Sequence, residues 1–297
     1  MRILLVLVAW LSPLTLLSQQ WQAEQIIVLF DGRPPGLLTG LNKSGYPDKW
    51  WTVEDGWLKT VPGMWQRDLV STGTFRDFEL SWEWKASPGG NAGVKYLVRD
   101  GRLDPYMAQL RWRALAVAWL CLPALLAVVL LRRKMSPAVS RLAIAVLTLS
   151  GVAAAGLAAL YKQQALLRAV GLEYQMTDDA ENQDARRGDL YRSGAVYGLV
   201  EAKGAPALPA GHVNRSQVIV HGSEVEHYLN GQLMASYKLG SQQLREAVKE
   251  SKFNEFPGFD SAGSGRIALQ HHGDEMWFRN IQLVRLRRGL PGVRRGR

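Results

Sequence analysis

The chain has 297 residues, enough for one large domain or two small ones, and its formal net charge is +10. Residues 99–170 hold a net charge of +8 and residues 285–297 one of +6, so the rest of the chain is mildly acidic. Because the basic residues flank apolar runs or form a tail, we expect no nucleic-acid partner. The single cysteine, Cys121, excludes an internal disulfide framework.

Residues 1–20 have the pattern of a secretory signal peptide. Arg2 precedes an apolar run over residues 3–17, which Pro13 interrupts. The run is too short for a comfortable membrane span, and Ser18 follows it as a candidate cleavage point. An uncleaved anchor is the alternative, because the chain has no clear Ala-x-Ala site here.

Short alternating runs predict β-strands in the first third of the chain. Residues 26–30 lead into an Asp-Gly turn, and residues 50–60 have the pattern of a hairpin closed by a second Asp-Gly turn. Residues 78–85 alternate apolar with mainly charged side chains, and residues 94–98 follow a Pro-Gly-Gly-Asn turn. These runs favour an all-β body.

Two charge-free runs then interrupt the strand pattern. Residues 114–131 and 142–160 are each close to the roughly 20 residues that a helix needs to cross a bilayer. The loop between them is basic and acid-free, which predicts a cytoplasmic connection with both flanks outside the cytoplasm. We therefore predict a transmembrane hairpin over residues 110–165. Buried helices of a soluble domain are the alternative.

The strand pattern resumes at residue 172. The predicted elements are strands at residues 172–176, 194–200, 216–220, 224–229, 232–238, 265–270 and 276–284, and a short helix at residues 242–251. About a dozen short strands joined by tight turns predict an antiparallel two-sheet sandwich. The predicted sandwich comprises residues 26–100 and 171–286, split by the membrane hairpin, with a basic tail at residues 287–297.

The strand regions contain several specific blocks of sequence. They are residues 28–32 (VLFDG), 90–96 (GNAGVKY), 171–175 (GLEYQ) with the acidic pair at 178–179, 227–231 (HYLNG), 267–274 (IALQHHGD) and 278–281 (FRNI). Together and in this order, the blocks resemble the 3-keto-disaccharide hydrolase family. The resemblance implies a concanavalin A-like, jelly-roll sandwich. The membrane hairpin departs from the core domain of that family.

The resemblance also implies cleavage of glycosides whose sugar carries a ketone at C3. Such a ketone acidifies the hydrogen on C2, so a base can remove it, the group on C1 can leave and water can then add. This route needs a base near C2, a cation or donor near O3 and an acid for the leaving oxygen. The Glu-x-Asp-x-x-Glu motif of retaining laminarinase-type enzymes is absent from the chain, which disfavours ordinary two-carboxylate hydrolysis.

Each of the three catalytic roles has candidates in the chain. Glu173, or alternatively Asp178, is the predicted base, and Lys95 is the predicted oxyanion partner. The predicted acid is His271 or His272. Lys95 and Glu173 alternate with apolar neighbours on strands that flank the hairpin, so we expect the two side chains to meet across adjoining strands. A surface ion pair is the alternative for this pair, and polar turn residues are the alternative for the histidines.

The remaining polar candidates are predicted to bind substrate or a cation. The substrate-binding set is Gln175, Asp179, Tyr197, His227, Gln270, Asp274 and Arg279. For His227, a hydrogen-bonded structural histidine is the alternative. A divalent cation would suit the donors of Asp178, Asp179, His271 and Asp274. No ligand spacing in the chain is diagnostic of a metal, however, and no other cofactor is predicted.

The sequence therefore predicts a membrane-anchored, extracytoplasmic hydrolase that cleaves 3-keto-glycosides. Its expected partners are a carbohydrate substrate, the membrane and an oxidoreductase that produces the ketone. A lectin-like carbohydrate-binding module with the same polar face is the first alternative, and a structural anchoring domain is the second. A base, a cation and a histidine acid together favour the enzyme, because a lectin needs no titratable base.

Overall fold

The computed structural model describes residues 21–33, 36–41, 45–64, 67–99, 105–165, 169–254, 256–261 and 263–288. The predicted signal peptide lies outside these residues, as does the predicted tail from residue 289 onward. Within them, thirteen strands form two antiparallel sheets. The predicted antiparallel two-sheet sandwich is confirmed.

The larger sheet has eight strands and the smaller has five. The larger sheet contains β1 (Trp21–Phe30), β3 (Trp51–Glu54), β4 (Trp57–Thr60), β6 (Phe78–Ala86), β9 (Asn214–His221), β10 (Glu224–Leu229), β11 (Gln232–Lys238) and β13 (Met276–Arg288). The smaller sheet contains β2 (Leu38–Gly40), β5 (Leu69–Ser71), β7 (Asn91–Val98), β8 (Leu172–Thr177) and β12 (Arg266–Leu269). Their orders are β11-β10-β9-β6-β13-β4-β3, with β1 also paired to β13, and β2-β5-β12-β7-β8.

Alternating side chains build the core between the two sheets. The apolar alternate residues of β6 are all buried: Phe78, Leu80, Trp82 and Trp84. The Trp82 ring packs edge-on against Tyr174 of β8, with the ring centroids 5.0 Å apart. Apolar residues of both sheets therefore share one hydrophobic core, and a smaller buried cluster forms separately from Leu41, Val70, Val98, Ala169 and Ala268.

The predicted strand set differs from the structure in two respects. β2 and β5 are three residues long, too short for alternation to reveal them in a sequence. The prediction of a strand at residues 194–200 was wrong, because the segment folds into turns, with Gly198 at a φ of +68°. The segment still borders β8, since the Tyr197 amide donates to the Glu173 carbonyl at 3.0 Å.

Two long helices interrupt the smaller sheet between β7 and β8. α1 is Pro105–Leu131 and α2 is Pro137–Ala165. Both are long and apolar enough to cross a membrane, and large apolar side chains such as Trp119 and Leu149 are exposed on them. Because β7 and β8 are antiparallel neighbours, the chain leaves for the helices and returns from them at the same end of the sheet.

The last helix and the chain ends complete the sandwich. α3 is Gln242–Glu250, within the predicted residues 242–251, and the Ser241 hydroxyl caps it by accepting from the Leu244 amide. β13 continues to Arg288, which pairs with Trp21, so the first two residues of the predicted basic tail belong to a strand. The Arg288 guanidinium lies 5.4 Å from the Trp21 ring centroid, a cation–π contact that favours this extension of the sheet.

Candidate active site

Lys95 of β7 and Glu173 of β8 are register partners in the smaller sheet. The Lys95 Nζ lies 3.8 Å from Glu173 Oε2, and the two residues are only 4 % and 8 % exposed. The prediction that these side chains meet across adjoining strands is confirmed. Their burial excludes the alternative of a surface ion pair.

The local sequence explains why the two charges share one face. Tyr174 contacts Trp82 of the larger sheet, so its neighbour Glu173 points away from the core, and the register of β7 directs Lys95 the same way. Gly93 on β7 leaves the space that the carboxylate fills. A Cβ at this position would lie 2.6 Å from Glu173 Oε1.

Asp68, which immediately precedes β5, anchors the lysine. Its carboxylate is fully buried, and Oδ2 lies 3.4 Å from Lys95 Nζ. The same carboxylate accepts hydrogen bonds from the backbone amides of Ala169, at 2.7 Å, and His271, at 3.1 Å. Lys95 also donates to the Ala169 carbonyl at 2.9 Å. These contacts hold the ammonium in place and offset the free-energy cost of burying its charge.

One amide side chain contacts the Glu173 carboxylate, and two further amides are hydrogen-bonded to each other beside it in the sheet. Gln270 follows β12 and donates from Nε2 to Glu173 Oε2 at 3.4 Å, while its buried Oε1 has no hydrogen-bond partner among the described residues. Gln175 donates to Asn91 Oδ1 at 3.3 Å, and Asn91 Nδ2 donates to Asp184 at 3.3 Å. The series of amides offers both donors and acceptors to a hydroxyl-rich ligand.

These groups line a narrow polar pocket that opens into a wider groove. Tyr197, Lys252, Phe253 and His272 line both the pocket and a groove of about 790 Å³, a volume in the usual range for small-molecule sites. The Tyr197 hydroxyl donates to Asp184 at 3.0 Å, and burial together with this carboxylate raises the pKa of Tyr197. The phenol therefore remains protonated, and its single hydrogen is directed to Asp184.

Comparison with known proteins identifies the family that shares this sandwich. Residues 25–114 and 149–284, most of the chain, match the model of the 3-keto-alpha-glucoside-1,2-lyase-like domain. The chain belongs to this family. The family that the sequence blocks indicated is thereby confirmed, and family membership identifies the chain as a glycoside-cleaving enzyme.

Individual relatives of the lyase-like domain agree with this assignment. A Bacteroides thetaiotaomicron protein named 3-keto-disaccharide hydrolase is 27 % identical over 280 residues, which cover 88 % of this chain and 78 % of that protein. A crystal structure from Parabacteroides distasonis, of a protein assigned by name to the glycosyl hydrolases, has a TM-score of 0.58 at 22 % identity and covers 88 % of this chain and 94 % of its own. A second such structure from the same species has a TM-score of 0.52 at 17 % identity, with coverages of 88 % and 100 %. The two structures show the sandwich fold.

Of the two candidate acids in this lyase-like domain, the structure brings His272 to the pocket and keeps the His271 side chain away from it. The His271 ring is fully buried against Trp51, with the ring centroids 5.6 Å apart. Its Nδ1 accepts from the Gly273 amide at 3.2 Å, and burial lowers the pKa of His271. The contribution of His271 near the site is its backbone amide, which binds Asp68.

The structure places His227 in the core between the sheets. Its Nδ1 bonds the Gly194 carbonyl at 3.0 Å, and its Nε2 bonds the Tyr96 hydroxyl at 2.7 Å. Because a carbonyl only accepts, Nδ1 carries the proton and Nε2 accepts from Tyr96. Burial lowers the pKa of His227 to about 4. The neutral ring thus links β10 of one sheet to β7 of the other, which matches the structural alternative.

The three other predicted aspartates bind backbone amides in loops. Asp178 accepts from the Gly89 amide at 2.9 Å, and Asp179 accepts from two amides of the loop at residues 193–207. Asp274 accepts from the first amide of β7 at 3.1 Å, and burial raises the pKa of Asp274. Across the part of the chain that the structure describes, no group of three or more His, Cys, Asp or Glu residues is arranged to hold a metal ion.

Arg279 lies on the outer face of the larger sheet, away from Lys95. Its Nε donates to Glu83 Oε2 at 2.6 Å, and its guanidinium lies 4.2 Å from the Trp57 ring centroid. Arg279 and Glu83 are register partners on β13 and β6. The structure therefore does not bring Arg279 together with the other candidate residues.

Sequence reasoning missed four residues with polar or charged side chains that contact Lys95 or line the pocket: Asp68, Asn91, Asp184 and Lys252. Asp68 precedes a strand of three residues, Lys252 follows a short helix, and Asp184 lies in a loop, so none belongs to an alternating run. Asn91 lies within the block at residues 90–96, and that block was the one signal from which it could have been found.

Proposed function

We propose that this protein is a membrane-anchored, extracytoplasmic enzyme that cleaves 3-keto-glycosides by elimination followed by hydration. The observation that carries the proposal is the buried pair of Lys95 and Glu173, 3.8 Å apart, in the wall of a polar pocket. The name of the Bacteroides thetaiotaomicron relative, 3-keto-disaccharide hydrolase, supports the same class of substrate.

Glu173 is the proposed base of the first step. Its carboxylate takes the proton from C2 of the 3-keto sugar, and the electrons of the C2–H bond form the C2=C3 bond of an enolate. The charge that develops on O3 faces the Lys95 ammonium, which Asp68 and the Ala169 carbonyl hold in place. A fixed cation in a buried pocket stabilises this charge without reorganising during the reaction.

His272 is the proposed acid of the second step. The enolate returns to a ketone as its electrons form a C1=C2 bond and the bond from C1 to the leaving oxygen breaks. His272 borders both pocket and groove and gives the leaving oxygen a proton. Water then supplies hydroxide to C1 and a proton to His272, and Glu173 returns its proton to C2. The net reaction is hydrolysis to a 3-keto sugar and an alcohol.

The polar groups around the pair are the proposed sugar-binding residues. Gln270 has a free Oε1 acceptor within the described structure, which suits a sugar hydroxyl. Asn91 and Tyr197 are further candidates because they line the same pocket, and Gln175 holds Asn91 in position. A lectin would use such contacts too, but it would not require a buried ammonium beside a carboxylate, a costly arrangement that the proposed chemistry explains.

The two long helices support the proposed membrane anchor. The segments Gln109–Lys134 and Pro137–Gln163 are long and apolar enough to span a bilayer, and 0 % and 11 % of their apolar windows are covered by the rest of the protein. Core helices of a soluble domain would be largely covered. The basic connection at Arg132–Lys134 favours a cytoplasmic loop, which puts the sandwich on the extracytoplasmic side.

The proposed substrate requires an earlier oxidation. A ketone at C3 forms when an oxidoreductase removes hydride from C3 and a proton from its hydroxyl group. We propose such an enzyme as the functional partner of this protein. The same reasoning predicts that an unoxidised glycoside is not cleaved, because its C2 hydrogen is not acidified.

The test uses the full-length protein in nanodiscs and a 3-keto-glucoside with a chromogenic aglycone. We expect release of the aglycone from this substrate and none from the matched unoxidised glucoside. Equal release from both, or binding of the 3-keto-glucoside without release, would contradict the proposal, and the second result would identify a lectin-like module. Recovery of the protein in the soluble fraction of expressing cells would overturn the proposed anchor.

A further inference from the structure

The pocket shares a wall with the returning end of the helical hairpin. Ala169, Val170 and Gly171, by which the chain re-enters the sheet, line the pocket beside Lys95 and Glu173. The amide of Ala169 donates to Asp68, and its carbonyl accepts from Lys95. The first described residues after the hairpin are therefore part of the site.

The outgoing end of the hairpin is tied to the same region. Arg99 is the last described residue before α1, and it donates to the Ser261 hydroxyl at 2.9 Å. Ser261 belongs to the loop after α3, whose residues Lys252 and Phe253 line the pocket and the groove. Phe253 stacks on Phe259 of this loop, with centroids 4.5 Å apart. The outgoing end of the hairpin is thus bonded to the loop that contributes two residues to the site.

Chain length limits the distance between the pocket and a bilayer that the helices cross. Ala169 is four residues beyond Ala165, where α2 ends, and four extended residues span at most roughly 14 Å. The charge-free run ends at Leu160, five helical residues or roughly 8 Å earlier. The pocket wall therefore lies within roughly 22 Å of the hydrocarbon boundary. The headgroup layer occupies about 5 to 8 Å of that distance.

The groove that continues from the pocket has a mixed lining, in which one set of apolar side chains suits an apolar aglycone. Its walls include Leu190, Tyr191, Tyr197, Leu199, Ala247 and Phe253. Burial of a hydrocarbon chain against such residues contributes about 0.8 kcal/mol for each CH₂ group. Charged and polar side chains complete the lining: Arg187, Glu250, Ser251, Lys252 and His272.

We propose that the substrate is a 3-keto-glycoside with a lipid aglycone, presented by the membrane that anchors the enzyme. The sugar enters the pocket at Lys95 and Glu173, and the first part of the aglycone lies in the groove. This proposal deepens the proposed function and rests on it and on the two helices crossing the bilayer. The proposal also gives the hairpin a role in substrate selection. The hairpin holds the pocket at the distance from the bilayer at which the sugars of membrane lipids lie.

The test compares two aglycones and two presentations. The full-length protein is placed in liposomes, and three arrangements of substrate are compared. Methyl 3-keto-glucoside is added in solution, hexadecyl 3-keto-glucoside is placed in the same vesicles as the protein, or hexadecyl 3-keto-glucoside is placed in separate vesicles. We expect kcat/KM for the hexadecyl substrate in the same vesicles to be at least tenfold higher than in either other arrangement. Cleavage of the methyl substrate without any lipid preference overturns this proposal alone. Cleavage of neither substrate overturns the proposed function as well.

A spacer variant tests the role of pocket height separately. Ten Gly/Ser residues are inserted between residues 102 and 103 and another ten between 166 and 167, which leaves Ala169 in the chain context that it has now. A flexible spacer of this length adds roughly 18 Å of reach. We expect unchanged cleavage of the methyl substrate and at least a threefold lower rate on the hexadecyl substrate in the same vesicles. The matched control carries one such spacer in the turn at Asn230. Full retention of the lipid preference in the spacer variant would overturn the proposal.

Discussion

The Lys95 ammonium and the Glu173 carboxylate face each other across β7 and β8, although both long helices separate them in the chain. The helical insertion is compatible with this pairing because β7 and β8 are antiparallel neighbours. The end of β7 and the start of β8 therefore lie close together, whatever the length of chain that joins them. The site therefore lies at the foot of the helical hairpin. Ala169, the first described residue after it, completes the lysine's set of contacts.

Replacing Lys95 by glutamine removes the proposed oxyanion partner. We expect kcat on a 3-keto-glucoside to fall by about 10²- to 10³-fold, the usual effect of losing one preorganised donor. Asp68 would remain buried without its cation, so the free energy of unfolding should fall by about 3 kcal/mol. Steady-state kinetics and urea denaturation measure the two effects. Lys59→Gln, on β4 of the other sheet, is the matched control and should keep wild-type kcat. Wild-type kcat in Lys95→Gln would remove Lys95 from its proposed role.

The two adjacent histidines should respond differently to glutamine. His272→Gln should lower kcat by about 10²-fold, because the acid that protonates the leaving oxygen is lost. The decrease in kcat should be smallest for aglycones that leave easily. His271→Gln should keep kcat and lower the melting temperature, because the buried ring packs on Trp51. Comparing methyl and nitrophenyl 3-keto-glucosides together with thermal unfolding separates the two effects. Loss of kcat in His271→Gln alone would reverse the assignment.

Gly93→Ala should displace the proposed base without removing it. The added Cβ would lie 2.6 Å from Glu173 Oε1 and 2.7 Å from its Cγ, so the side chain must move. We expect kcat/KM to fall by about 10²-fold, as for a misplacement near 1 Å, while the protein stays folded. Gly36→Ala is the matched control, since a Cβ there meets nothing within 4 Å. Equal activity of both variants would show that the carboxylate's position is not critical.

His227 should make stability depend on pH. Its pKa is about 4 in the folded protein, against an ordinary value of 6.5, so the unfolded chain takes up a proton first as the pH falls. The neutral ring's contribution to the free energy of unfolding is complete above about pH 6.5. As the pH falls from there to about 4, the free energy of unfolding decreases by up to about 3 kcal/mol. Denaturant titrations across this range should show a shallower slope for His227→Gln than for wild type. His212→Gln, at an exposed position, should keep the wild-type slope. An unchanged slope in His227→Gln would contradict this reading of the buried ring.

Alternation in the sequence identifies which face of a strand a residue occupies, but not which sheet the strand joins. It was sufficient for Lys95 and Glu173, whose strands are neighbours. Arg279 was predicted to bind the same substrate, although β13 belongs to the other sheet. Alternation also left His271 and His272 equivalent, because both follow the strand and only the fold shows that the His271 amide binds Asp68. That contact comes from a residue more than 200 positions away, which no local pattern encodes.

The most direct test of the account is turnover and C2 hydrogen exchange in the Glu173→Gln variant of the full-length protein. Glutamine keeps the size of the side chain and its contact with Gln270, but it cannot take the C2 proton. The account predicts that wild type exchanges the C2 hydrogen of a 3-keto-glucoside with deuterium oxide and releases its aglycone. The folded variant should still bind the substrate and do neither, with kcat lower by at least about 10³-fold. Wild-type rates of exchange and release in Glu173→Gln would contradict the account.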